Sequence, residues 1–235
     1  MAQLADSVVL ITGANGGLGT EFVRQALARG ARRVYATART PRAWDDDRVV
    51  PLVLDVTDPE SVAAAASAAD DSTVVINNAG RTVRQSLLDT PLAEVRAAYE
   101  TNVFGPIAVA QAFAPVLAKN GGGALIDVNS ALSWLALPGV YSSTKAALWS
   151  VTNTLRLELA AQGTQVVGAH LGYTDTAMTA GLDVDKADPS DIVAAIYDGL
   201  EAGDLEVLAD DTSRWVKQQL SQPLAALYPQ LVAAE

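Results

Sequence analysis

Residues 8–19 read VVLITGANGGLG, a short apolar run rich in β-branched side chains that passes directly into a glycine-rich turn. The run suits a strand buried on both faces, and about residues 17–29 have the apolar spacing of an amphipathic helix. Glycines at 13, 17 and 19 let the backbone turn tightly and approach a pyrophosphate. That charge would then meet the free N–H groups and positive dipole end of the new helix. Out of context such a turn is only a strand-to-helix connection; with both flanks present it is a dinucleotide-binding candidate. Its spacing is T-G-x-x-x-G-x-G and not the commoner G-x-G-x-x-G.

Further along, the runs SVVLIT, RRVYAT, VVPLVL, TVVIN, ALIDV, QVVGAH and LEVLA alternate with longer Ala- and Leu-rich segments of helical spacing. Continuous apolar runs between helices predict a parallel sheet covered on both faces. The expected fold is therefore α/β, a Rossmann-type doubly wound parallel sheet of about seven strands. Helices are predicted at about 17–29, 59–68, 91–118, 140–161 and 189–202, with a terminal pair after Asp211. Start signals lie in TDPES at Thr57, DTPLAE at Asp89 and ADPSD at Asp188, and stop signals at Gly30 and Gly163.

The 235 residues, 50% hydrophobic and 18% charged, suit one domain over 1–235 with a sizeable core. A formal net charge of -11 argues against a nucleic-acid partner, which needs clustered Lys and Arg. With no cysteine and a single histidine, His170, no metal site is expected, and a Ser/His/Asp triad is disfavoured. The start MAQLADSVVLITGA lacks the basic region of a signal peptide, and no long apolar stretch is free of polar interruption. A soluble, cytoplasmic protein without membrane contact is the expectation.

NNAG at Asn77–Gly80 follows the fourth strand, TNVFG carries Asn102 in a helix, DVNS ends the fifth strand at Ser130, and YSSTK opens the next helix. With the glycine turn, these five motifs in this order make the chain resemble the short-chain dehydrogenase/reductase family over nearly its whole length. The resemblance implies cofactor contacts from Gly13, Asn15, Gly17, Leu18 and Gly19 of the turn and from Asn77 and Ala79, with Asn77 the closer of the two asparagines. It also implies that Asp55 and Val56 meet the adenine, though LDVTD alone also reads as a strand end with a helix cap at Thr57 or Asp58.

The second strand ends VYATARTPR, with Ala38 where NAD-binding folds generally place an acid and Arg39 after it. A guanidinium suits a 2'-phosphate, so NADP(H) is the expected cofactor, with Arg42 assisting. Tyr141 and Lys145 lie one helical turn apart on one face. An ammonium so placed is expected to lower the phenol's pKa from its ordinary value near 10. By resemblance Tyr141 is the acid/base, Lys145 tunes it and holds the nicotinamide ribose, Ser130 holds the substrate oxygen, and Asn102 completes a proton relay. Thr174 and Thr176 match positions that reach the carboxamide.

Two departures from the family pattern stand out. Only ten residues separate Ser130 from Tyr141, a shorter segment than usual, and Leu171-Gly172 replaces the common Pro-Gly after the sixth strand. His170 is expected to end that strand as a satisfied polar residue. Leu132, Trp134, Leu135, Val83, Tyr173 and Met178 are expected to line a pocket for an apolar or aromatic carbonyl or alcohol. A short acidic lid at about 177–188 is expected to disfavour anions. The activity expected is an NADP(H)-dependent carbonyl reductase or alcohol dehydrogenase, as a homodimer or homotetramer through the two long helices. The competing reading is a non-catalytic NADP(H)-binding sensor or scaffold on the same fold. An epimerase or dehydratase would need a larger substrate domain after residue 176.

Overall fold

The computed structural model describes residues 1–231; residues 232–235 of the expected single domain lie outside the described residues. Seven parallel strands form one sheet in the order β3-β2-β1-β4-β5-β6-β7. They are β1 (Val8–Ile11), β2 (Arg33–Ala38), β3 (Val49–Val53), β4 (Val74–Asn77), β5 (Ala124–Val128), β6 (Gln165–His170) and β7 (Glu206–Leu208). The chain works outward from β1 in one direction, then returns to pair β4 on its other side. This reversal opens a crevice at the carboxyl ends of β1 and β4, where a doubly wound sheet takes its ligand. Pro51 is confined to the edge strand β3, where a missing N–H costs no ladder bond.

The helices are α1 (Leu18–Ala28), α2 (Pro59–Ala68), α3 (Leu92–Tyr99), α4 (Gly105–Lys119), α5 (Tyr141–Glu158), α6 (Pro189–Ala202) and α7 (Asp211–Gln219). On one face of the sheet α1 packs on α6, with Phe22 and Tyr197 edge-to-face at 5.4 Å and the Tyr197 hydroxyl donating to the Phe22 carbonyl. On the other face, Val62, Val109, Phe113 and Leu117 close a second core. Asp58 and Asp188 cap α2 and α6 through the amides of Glu60 and Ser190. No side chain caps α3; Asp89 instead accepts from Ser86. Gly30 and Gly163 end their helices with φ of +88° and +76°.

Two helical expectations are corrected. The single helix expected at 91–118 is broken by a π-helical turn, Glu100–Phe104, between α3 and α4. Among the described residues, the expected terminal pair is α7 followed by 3-10 turns at Leu224–Ala226 and Pro229–Leu231. By length and mean hydropathy Leu92–Lys119 could cross a membrane. In the fold its apolar residues Val109, Ala110, Phe113 and Leu117 are buried under the sheet.

Candidate active site

The glycine turn is assembled by side chains from β1 and from NNAG. Thr12 accepts from the amides of Asn78 and Ala79 through one hydroxyl, at 3.0 Å each, and Asn78 donates to the carbonyls of Thr12 and Gly13. Gly13 turns with φ +68°, and a Cβ there would meet the Ala79 Cα at 3.0 Å. Asn15 ties the turn to the tail of β2 by donating to Thr40 and accepting from the Arg42 amide. The turn therefore has one geometry, fixed from two neighbouring strands.

Above it lies a cleft of about 1690 Å³. Gly13, Asn15, Gly17, Leu18, Arg39, Asp55, Val56, Ala79, Ser130, Tyr141, Lys145, Thr174 and Thr176 all line it, so segments up to 163 residues apart converge on one space. Gly19 lies behind the turn and does not line it. Arg39 is exposed on the rim, and its charge helps hold the Asp55 carboxyl below its ordinary pKa, after the larger effect of two bonds from Thr57. Arg42 stacks on Trp44 at 4.0 Å and does not line the cleft.

Asn77 is a correction. Its side chain turns away from the cleft and donates to buried Asp127 at 2.9 Å, so the cleft-side partners are Asn78 and Ala79. Asp127 also accepts from Thr152, and burial pushes its carboxyl pKa up. This buried acid was signalled only by a charge inside the apolar run ALIDV.

Tyr141 is half-buried at the first turn of α5, and among the described residues its hydroxyl has no protein hydrogen-bond partner. Lys145 is buried; its Nζ donates to the Val128 carbonyl at 2.6 Å and stands 5.7 Å from the Tyr141 ring centre. Burial lowers the ammonium pKa to about 8, opposed by the charge of Asp127. The phenol is pushed up, not down as the pairing alone predicts, because burial outweighs an ammonium bonded elsewhere. The resting phenol is thus protonated near neutrality, the form of a proton donor.

Asn102 sits in the π turn with its amide fully engaged. It accepts from the Arg81 amide and donates to the Arg81 carbonyl and to Thr144, whose hydroxyl bonds back to the Tyr141 carbonyl. It does not line the cleft, so the structure gives its side chain a tie between the NNAG segment and the start of α5. A π turn at a functional position is a recurrent device, invisible in 3.6-residue periodicity.

Ser130 lines the cleft from the end of β5, its hydroxyl donating to Leu171 at 3.3 Å and accepting from the Leu132 amide. The short segment to Tyr141 is accommodated by a 3-10 turn at Ala131–Ser133 and by Gly139 at φ +116°. It is fastened by the Leu137 amide to Ser142 and the Ala136 amide to the Tyr228 hydroxyl. Ser130 and Tyr141 therefore face one cleft despite the short connection. Leu132, Leu135, Val83, Tyr173 and Met178 line it too. Trp134 does not: it is buried and stacks on His170 at 3.9 Å. His170 is corrected as well, for among the described residues only its Nδ1 is bonded and its buried Nε2 has no hydrogen-bond partner.

Over the cleft, residues 177–188 begin with a 3-10 turn and return to a bridge between Thr174 and Ala187. Arg84 donates to the carbonyls of Met178 and Ala180, fastening this segment to the one after NNAG. Thr174 lines the cleft, and its buried hydroxyl has no hydrogen-bond partner among the described residues. An unpartnered buried hydroxyl on one side and a glycine cradle on the other fit a nicotinamide dinucleotide.

The sheet order, glycine turn and Tyr/Lys helix define a dinucleotide-dependent oxidoreductase. A profile of the short chain dehydrogenase family matches residues 7–187, and the chain belongs to the short-chain dehydrogenase/reductase family. The short-chain dehydrogenase cctT of Talaromyces islandicus is 35% identical over 196 residues, 78% of this chain and 66% of that protein. An uncharacterized oxidoreductase of Staphylococcus aureus strain N315 is 31% identical over 213 residues, 83% of this chain and 91% of its own. A Burkholderia cenocepacia short chain dehydrogenase, solved in complex with NADP, superposes with a TM-score of 0.92 at 37% identity, covering 98% of this chain and 100% of that one. A Streptomyces avermitilis short-chain dehydrogenase gives 0.80 at 29% identity, covering 94% and 93%.

Proposed function

We propose that this oxidoreductase interconverts an apolar or aromatic ketone or aldehyde and its alcohol with NADP(H). The observation that carries the reading is the Tyr141 hydroxyl, unpartnered among the described residues, in the same cleft as Ser130, Lys145 and the glycine turn. Arg39 would hold the 2'-phosphate, Asp55 and Val56 the adenine, Lys145 the ribose, and Thr174 and Thr176 the carboxamide. A bound nicotinamide supplies or accepts the hydride. Ser130 holds the substrate oxygen, Tyr141 delivers its proton there, and the Lys145 ammonium stabilises the phenolate that is left. Asn102 fixes the helix start that carries Tyr141. Residues 177–188 serve as the substrate lid, and the apolar walls select the substrate. Phe104 and Leu157, exposed on the two long helical segments, support self-association there.

The test is loss of NADPH absorbance with a panel of aryl, alkyl and acidic carbonyl compounds. Turnover is expected with apolar members. Preference for acidic or CoA-linked ones overturns the substrate reading, and tight NADPH binding without any turnover favours the sensor.

Arg39→Asp should lower the ratio of kcat/KM for NADPH to that for NADH by roughly 10- to 100-fold, the worth of one or two charge-assisted hydrogen bonds. An unchanged ratio would mean that the 2'-phosphate is held elsewhere.

A further inference from the structure

His170 is the chain's one histidine, fully buried at the end of β6 and unused by the chemistry above. Its Nδ1 lies 3.1 Å from the carbonyl oxygen of Ser130. A carbonyl only accepts, so Nδ1 carries the proton and donates. Nε2 is then a bare acceptor, 3.8 Å from the nearest Glu206 oxygen and beyond hydrogen-bond length. The ring lies nearly parallel to Trp134, 18° between planes, and Trp134 is held edge-on by Trp149 and capped by the Lys217 ammonium at 4.5 Å. Lys217 is itself fixed by Glu206 at 2.8 Å.

The backbone on both sides of Ser130 is strapped to the same strand end, Asn129 to Ala169 and Ala131 to Leu171. The Ser130 carbonyl accepts from the imidazole and, within its own turn, from the Ser133 amide at 3.0 Å; of these two the imidazole is the tie to β6. To take a substrate oxygen, the serine hydroxyl must leave its long bond to Leu171 while its backbone stays fixed. We propose that His170 is a positioning residue for the reaction, whose Nδ1–H bond to the Ser130 carbonyl sets where the serine hydroxyl stands on the cleft wall. The inference rests on the reading of Ser130 as the substrate contact.

Asn and Gln separate the two ring nitrogens. The Asn amide nitrogen is as many bonds from Cβ as Nδ1, the Gln one as many as Nε2. His170→Gln should lower kcat on the order of tenfold or more, the scale of a small misplacement at a reacting atom, with NADPH affinity little changed. His170→Asn should restore most of the loss. Ser130→Ala combined with His170→Gln should be no slower than Ser130→Ala alone. Equal losses for Asn and Gln, or losses that multiply in the double variant, overturn the positioning role while leaving the serine's role intact. A Ser130→Ala variant with wild-type kcat removes the serine's role and the inference with it.

A second readout needs no variant. With one histidine, ¹⁵N-histidine labelling of the untagged protein gives two ring-nitrogen signals. Nδ1 should be protonated and Nε2 bare at neutral pH; an Nε2–H tautomer or a charged ring there overturns the inference. Burial holds this ring's pKa down to about 4, with the Ser130 carbonyl and Glu206 pulling it up and Lys217 and Lys145 pushing it down. The neutral signals should therefore persist well below pH 6.5.

Discussion

Tyr141→Phe is expected to lower kcat for carbonyl reduction by roughly 10²- to 10⁴-fold, the usual worth of a positioned general acid. NADPH affinity should stay close to wild type. The hydroxyl bonds to no other described residue, so its removal orphans no protein group, and the ring keeps its packing at the head of α5. Folding stability should change by less than about 0.5 kcal/mol, the range of a substitution that breaks no buried contact. Steady-state kinetics, an NADPH titration and a thermal melt together check this. Wild-type turnover would falsify the acid/base assignment.

The same pair predicts a pH limit, and its sign follows from the lysine. Below about pH 8 the Lys145 ammonium is charged and stabilises the phenolate that proton donation leaves; above it the charge is lost. In wild type, kcat/KM for NADPH in the reduction direction should therefore fall as pH rises through about 8, since this ratio reports the free protein. A ratio flat across that window would show that the lysine charge plays no part.

The glycine turn, the strand alternation and the Tyr141/Lys145 face are legible because each is local: strand-to-turn-to-helix chemistry and helical spacing lie within about twenty residues of one another. What escaped the sequence depends on which way a side chain turns once distant segments meet. Asn77 and Asn78 are neighbours, yet Asn77, the last residue of β4, bonds the Asp127 it pairs with in β5, while Asn78, past the strand end, braces the glycine turn. Trp134 reads as a pocket wall but is captured by His170, 36 positions away in sequence, in a stack that no local pattern encodes. The role of Asn102 was hidden by the π turn that carries it. The short Ser130 to Tyr141 connection departs from the family pattern, and the Tyr228 hydroxyl that fastens it lies far down the chain.

Gly19→Ala is the other substitution with a large expected effect, and two opposing terms decide its sign. Gly19 lies in the first turn of α1 with no positive φ, so helix propensity alone would make alanine the better residue by roughly 0.8–1.0 kcal/mol. Against that, a Cβ there would stand 2.2 Å from the Gly13 carbonyl oxygen, 2.8 Å from the Ala14 Cα and 2.9 Å from the Asn78 amide nitrogen. Two of the three are backbone atoms of the glycine-rich turn, which cannot swing aside like the end of a flexible side chain. The third belongs to the amide that bonds the Thr12 and Gly13 carbonyls, so relieving the clash also disturbs those bonds. Overpacking of this kind costs typically 1–3 kcal/mol and sometimes more, enough to exceed the propensity gain. The variant should melt several degrees lower, at about 2–4 °C per kcal/mol for a chain of this size, and bind NADPH at least about tenfold more weakly. Gly16→Ala is the control within the same turn: nothing lies within 4 Å of a Cβ there, so its melting temperature should match wild type. If Gly19→Ala is as stable as wild type and binds NADPH as tightly, the turn yields where its contacts say it is rigid, and the glycine turn is not held in a single geometry.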